Sequence, residues 1–203
     1  MLKKDKFEKI KKKYGSVSSW AIWEKMGEKP KSNISNMEIL EIDKNPKLLE
    51  LLNTNIVMVG LNFARECEFK EPFMNFHDSN PHGQDYKIRY AFEDTQYYGA
   101  YMTDIIKNFP MLNSKDVFKH LKQNPDELRE QLNEFENELK YINSCDPIIL
   151  AFGEQAYQIL QKGLDKSKYS CLIKLTHYSH HISMEKYRKN ILSQIQEGLK
   201  NYI

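Results

Sequence analysis

Four short apolar runs alternate with helical stretches along this chain, and that alternation limits the possible folds more than any other feature. The runs cover residues 55–60, 99–104, 147–153 and 171–176. The first, Asn-Ile-Val-Met-Val-Gly, is β-branched and lacks polar alternation, as expected of a strand buried on both faces. A helix is expected over 46–52, and a long one over 125–143, where Leu128, Leu132, Phe135 and Leu139 recur at spacings of three and four. Residues 154–163 read as a helix opening directly behind the third run and ending on Gly163. Residues 183–202 read as the last helix, with Ser183 as N-cap and Tyr187, Ile191, Ile195 and Leu199 repeating every four residues. This pattern predicts a three-layer α/β/α domain around a central, mostly parallel four-stranded sheet.

The 203 residues suffice for one such domain without a metal or disulfide staple. No apolar run reaches the roughly 18 residues of a membrane span, and the basic N-terminus lacks the apolar core of a secretory signal. Three widely spaced cysteines, Cys67, Cys145 and Cys171, read as reduced thiols and imply a cytoplasmic protein with no disulfide framework. The net charge of +2 is unevenly distributed. Residues 1–13 hold seven lysines against Asp5 and Glu8, a balance of +5, which leaves −3 for the rest. Residues 1–36 therefore read as a basic arm followed by an aromatic docking segment, Trp20-Ala-Ile-Trp23, and residues 37–203 as the domain proper. Such an arm can neutralise phosphates without reading sequence. Lysine outnumbers arginine 26 to 4, so general lysine enrichment explains the arm equally well.

Parallel sheets place ligands beyond the carboxyl ends of their strands. Those ends offer Asn62, Asp104, Glu154 and the segment His177-Tyr178-Ser179-His180-His181. Asn62 could position water or read a polar edge, or it could simply close a turn. Residues 72–82, Pro-Phe-Met-Asn-Phe-His-Asp-Ser-Asn-Pro-His, are rich in aromatic and amide groups and poor in aliphatics. Such a loop would suit a planar ligand stacked on Phe73 or Phe76 with Asn75 or His77 at its edge, or a structural Ω-loop. Zinc fits the histidine cluster poorly, because His180 and His181 are adjacent and no carboxylate or cysteine is near. His177 is better suited to donate to a developing anion. No phosphate loop, dinucleotide fingerprint or serine-hydrolase elbow is present.

Taken in order, Gly60-Leu-Asn62, the aromatic loop, Ala-Tyr-Met-Thr-Asp104-Ile-Ile-Lys-Asn, Ile-Ile-Leu-Ala-Phe-Gly153-Glu-Gln-Ala and the strand ending at His177-Tyr-Ser179 resemble the uracil-DNA glycosylase superfamily. The likeness spans residues 55–187 and rests on order and spacing, since each motif is short. It implies a four-stranded parallel sheet, hydrolysis of an N-glycosidic bond after base flipping, DNA as partner, a monomer, and no cofactor, metal or iron–sulfur cluster. By residue, it implies that Asn62 positions water and His177 donates to the base oxygen. Phe73, Asn75, Phe76 and Asp104 would hold the base, and Tyr178, Ser179 and His180 would meet DNA. Two departures stand out. Phe63 replaces the usual proline, and Asp104 stands where the family reads the base with asparagine. An ionised aspartate only accepts hydrogen bonds and would repel a uracil carbonyl, so a damaged or modified base is expected instead, the alternatives being a protonated Asp104, an Asp104 that holds a neighbouring side chain, or a loss of catalysis. Two other classes remain open, a non-catalytic nucleic-acid or nucleotide-binding module on the same fold and an unrelated enzyme of small nucleosides or sugars.

Overall fold

The computed structural model describes residues 2–62, 71–80, 82–107, 114–200 and 202. Phe63, Cys67, Pro81 and Asn108 lie outside them. Helices are α1 (Lys4–Tyr14), α2 (Leu48–Leu51), α3 (Asp85–Phe92), α4 (Ser114–Gln123), α5 (Pro125–Tyr141), α6 (Glu154–Gly163) and α7 (Met184–Lys200). Strands are β1 (Ser18–Trp20), β2 (Asn53–Asn62), β3 (Ala100–Ile106), β4 (Ile148–Phe152) and β5 (Cys171–Leu175).

The sheet has five strands, in the order β1-β3-β2-β4-β5, where four were expected. Strands β2 to β5 are mutually parallel and correspond to the four apolar runs. The fifth is β1, antiparallel to β3 with Ser18 opposite Thr103 and Trp20 opposite Tyr101. It escapes a periodicity reading because three residues are too few to show alternation. Its neighbour Trp23 is also buried, so both tryptophans anchor this segment on the body.

In the apolar middle of β2, residues 56–61, side chains alternate between two apolar layers although no polar residue marks the alternation. Val57, Val59 and Leu61 join α1, α4, α5 and α6 on one face. Ile56 and Met58 join α3 and α7 on the other. The period of two is thus expressed as a choice of layer rather than as polarity. The faces of α5 and α7 predicted from spacing are the buried ones, through Leu132, Phe135 and Leu139 and through Tyr187, Ile191 and Ile195. Ser183 caps α7, its Oγ accepting from Lys186 N at 3.3 Å. Phe7 and Ile10 of α1 are fully buried and belong to the same layer as Val57 and Tyr101. Among the described residues no helix is long and apolar enough to cross a membrane.

The chain leaves β2 toward β3 on one side, while β4 leads to β5 on the other. The carboxyl ends of β2 and β4 therefore flank the point where the winding reverses, where open α/β sheets form a crevice.

Candidate functional site

A cavity of about 240 Å3 opens at this end of the sheet. Its lining includes Asn62 from the end of β2, Asp104 from β3, Asn75 and Phe76 from the aromatic loop, and Tyr178 and Ser179 from the segment after β5. Asp78, His82, Gly83, Gln84 and Asp85 close another side. The volume lies below the roughly 300–1,000 Å3 of pockets for drug-sized ligands, which suits a single base or sugar. Among the described residues, three that line the cavity are aspartates and none is lysine or arginine.

Asp104 is 4% exposed. It fits there because of Gly60, its register partner on β2. A Cβ at position 60 would overlap Asp104 Oδ1, so glycine is required by the close approach of a carboxylate. Oδ2 accepts from Asn75 Nδ2 at 2.8 Å. Burial raises the Asp104 pKa from the ordinary carboxylate value to about 7, against the opposing effects of the Asn75 hydrogen bond and the Lys107 charge. The group is therefore divided between acceptor and donor forms near neutral pH. Lys107 Nζ donates to the Asp104 carbonyl at 2.8 Å and pairs with Glu138 at 2.6 Å. Glu138 is itself fully buried and accepts from Tyr101 and Thr103.

The aromatic loop is held tightly. Asn75 Nδ2 donates to Val17 O at 3.1 Å as well as to Asp104, and its Oδ1 accepts from Phe76 N. Its amide hydrogens are thus engaged within the protein. Phe73 and Phe76 both take the left-handed conformation, with φ of 66° and 63°. That geometry costs bulky residues of order 1–3 kcal/mol each and persists only where surroundings enforce it. The enforcing bonds include Phe73 N to Gly15 O, Ser19 Oγ to Phe73 O, and Trp23 Nε1 to Phe76 O. The two phenylalanines part company. Phe76 faces the cavity, near Phe152 and Tyr178. Phe73 is 1% exposed and packs on Phe7 of α1, away from the cavity. His77 is fully buried, stacks on Trp23 and has its ring nitrogens 3.0 Å from the carbonyls of Asn75 and Ile22. It serves as a support for the loop.

His177 is half-buried and does not line the cavity itself. It stacks on Tyr178, which does, at a centroid distance of 4.3 Å. Gly153, with φ of 89°, lies beneath it, and a Cβ there would come 3.4 Å from His177 Cδ2. Desolvation lowers the His177 pKa to about 4, so the ring is neutral near pH 7. Ser179 N, an obligatory donor, points to His177 Nδ1 at 3.2 Å. Ser179 Oγ lies 2.8 Å from the same nitrogen, and with Nδ1 accepting from Ser179 N the ring proton is assigned to Nε2. His180 is exposed, and its carbonyl accepts from Lys87 Nζ of α3 at 2.8 Å, which ties this turn down. Among the described residues no group of histidine, cysteine and carboxylate could hold a metal.

Asn62, Asn75, Phe76, Asp104, Tyr178 and Ser179 thus converge on one cavity, with His177 behind Tyr178, His180 beside the turn and Phe73 in the core. Sequence reasoning overlooked Asp78, Asp85, Gln84 and Lys87. Helix α3 has buried residues on nearly every side, Asp85, Lys87 and Arg89 among them, so it shows no apolar stripe. Asp78 and Asp85 stand seven residues apart in a polar, turn-rich segment, which gave no local signal that both face one cavity. No family model, curated protein or solved structure matches this chain.

Proposed function

We propose that this chain is a divergent relative of the uracil-DNA glycosylases that hydrolyses the N-glycosidic bond of a flipped, damaged or modified base in DNA, a base other than plain uracil. One observation carries the reading. A base-sized cavity at the reversal point of a parallel sheet joins Asn62, Asp104 and Phe76, and a neutral His177 stacks behind its Tyr178 wall. The sequence motifs that resemble the family contribute each of these residues.

In the reaction, the bond from sugar C1′ to the base nitrogen breaks and its electron pair leaves with the base. A water oxygen bonds to C1′ and releases a proton to solvent or to the departing base. Asn62 would orient that water, since an amide positions but does not deprotonate. His177 Nε2–H would stabilise the negative charge growing on a base oxygen, a task for a neutral donor in a site shielded from water. Phe76 would stack on the base, repaying part of the few kcal/mol lost when it leaves the helix. Ionised Asp104 would accept from an amino group or ring N–H, and protonated Asp104 would donate. Either behaviour departs from an asparagine reader. The protein would act as a monomer in the cytoplasm and need no cofactor.

A second reading, a non-catalytic nucleic-acid or nucleotide-binding module, is favoured by two facts. His177 stands outside the cavity lining, and both amide hydrogens of Asn75 are already used. A base-excision assay separates the two. Single- and double-stranded oligonucleotides carrying uracil, hypoxanthine, xanthine, mismatched thymine or modified cytosines are scored for abasic-site cleavage beside His177→Ala. Excision of one non-uracil base, lost in the variant with DNA affinity retained, supports the enzyme. Binding without excision of any base supports the module.

A further inference from the structure

The base cavity shares a wall with a second depression. A groove of about 380 Å3 lies between the end of α1 and α5, lined by Lys13, Tyr14, Ser16, Val17, Lys107, Glu134 and Asn137. Directly bonded residue pairs join the two sides. Asn75 and Asp104 line the cavity on one side. Asn75 Nδ2 bonds to Val17 O at 3.1 Å, and Lys107 Nζ bonds to Asp104 O at 2.8 Å, and both of these partners line the groove on the other side.

The two depressions differ in charge. Among the described residues, the cavity holds three aspartates, whereas the groove presents two ammoniums, two hydroxyls and an amide against one carboxylate, Glu134. Lys107 is already paired with Glu138, so Lys13 supplies the available positive charge. Lys6, Lys9 and Lys13 stand at i, i+3 and i+7 and so form one stripe along α1. Tyr141 of α5 organises the stripe. Lys6 and Lys13 lie over its ring at 4.2 and 4.4 Å, and its hydroxyl points to Lys9 O. Lys11 is turned away into an ion pair with Glu41. Asp5 and Glu8 balance the start of α1, and nothing acidic on the helix balances its end.

We infer that this groove and the lysine stripe above it bind the phosphodiester backbone of the DNA strand whose base enters the neighbouring cavity. The inference rests on the proposed function and adds where the strand runs. An acidic cavity repels a polyanion, so attraction must come from beside it. Donors on compact side chains next to an ordered ammonium suit phosphate oxygens. The strand would then cross the wall formed by Asn75 and Asp104, with its base on one side and its phosphates on the other.

The test measures affinity for a fluorescein-labelled single strand and for its duplex as a function of salt. The proteins compared are the wild type, Lys9→Gln/Lys13→Gln, Glu134→Gln, and Lys162→Gln/Lys166→Gln as a control on exposed lysines elsewhere. Each lost phosphate contact lowers the slope of log K against log salt by about 0.9 for duplex or about 0.7 for single strand. The α1 pair should lower it by one to two contacts, Glu134→Gln should tighten binding, and the control should change neither. Glu134→Gln keeps the inference testable should the lysine variant fold poorly. An unchanged slope in the α1 variant together with unchanged affinity in Glu134→Gln overturns the inference and leaves the glycosylase reading intact. No salt-dependent binding and no excision by the wild type overturns both.

Discussion

Replacing Asp104 by asparagine preserves the side chain's shape and its acceptor for Asn75 while removing its titration. The wild-type carboxyl titrates near 7 in the folded protein, against 3.8 for an unperturbed aspartate. Because the folded value is raised, its favourable contribution is complete below pH 3.8 and is lost as pH rises through about 7. The full difference of roughly three pKa units corresponds to about 4 kcal/mol. Between pH 5 and pH 8 the wild type should therefore lose about 2–3 kcal/mol relative to Asp104→Asn. Titrating groups remote from Asp104 cancel in the comparison. Urea unfolding of both proteins at several pH values measures the difference directly. The variant should be relatively more stable at pH 8 than at pH 5, and under the proposed function excision should shift toward bases that present a carbonyl to position 104. A stability difference that stays flat from pH 5 to pH 8 would refute the argument that Asp104 is held in a water-poor site.

The ion pair behind the cavity gives a second prediction. Lys107→Met strands the fully buried Glu138 carboxylate and should destabilise by about 3–5 kcal/mol, and Lys107→Met/Glu138→Gln should recover most of it, as read by denaturant midpoints. Arg89, 2% exposed, donates to the carbonyls of Glu24, Ser32 and Pro30. Arg89→Met should cost about 3 kcal/mol and speed amide exchange over residues 24–34, and Arg89→Lys should rescue it poorly because an ammonium lacks the planar fork. Amide exchange no faster than in the wild type would show that this loop is held by other contacts.

Much of the fold could be read from local pattern. The helix over 154–163 has the bounds expected from a strand ending at Gly153, because glycine at positive φ turns the chain at once into the helix. The buried faces of α5 and α7 followed from spacing alone. Strand β1 did not, since its three residues are defined by pairing with β3 some eighty residues away. Helix α3 did not either, because its polar residues are buried by partners distant in sequence. Lys87 meets His180, and Arg89 meets the loop before β2.

The candidate site divides in the same way. The sequence by itself located the parallel strands to within about two residues, and so brought Asn62, Asp104 and the His177 segment toward one end of the sheet. Only the tertiary structure decided what each became. Asn75 became a strap to Asp104 across 29 positions, Phe73 entered the core while Phe76 met the cavity, and His177 was left neutral with its proton on Nε2. Secondary structure is encoded within a few residues by periodicity and by chain-breaking residues. A pKa or the partner of a buried amide depends on how much water the whole fold excludes, and residues far apart in the chain set that jointly.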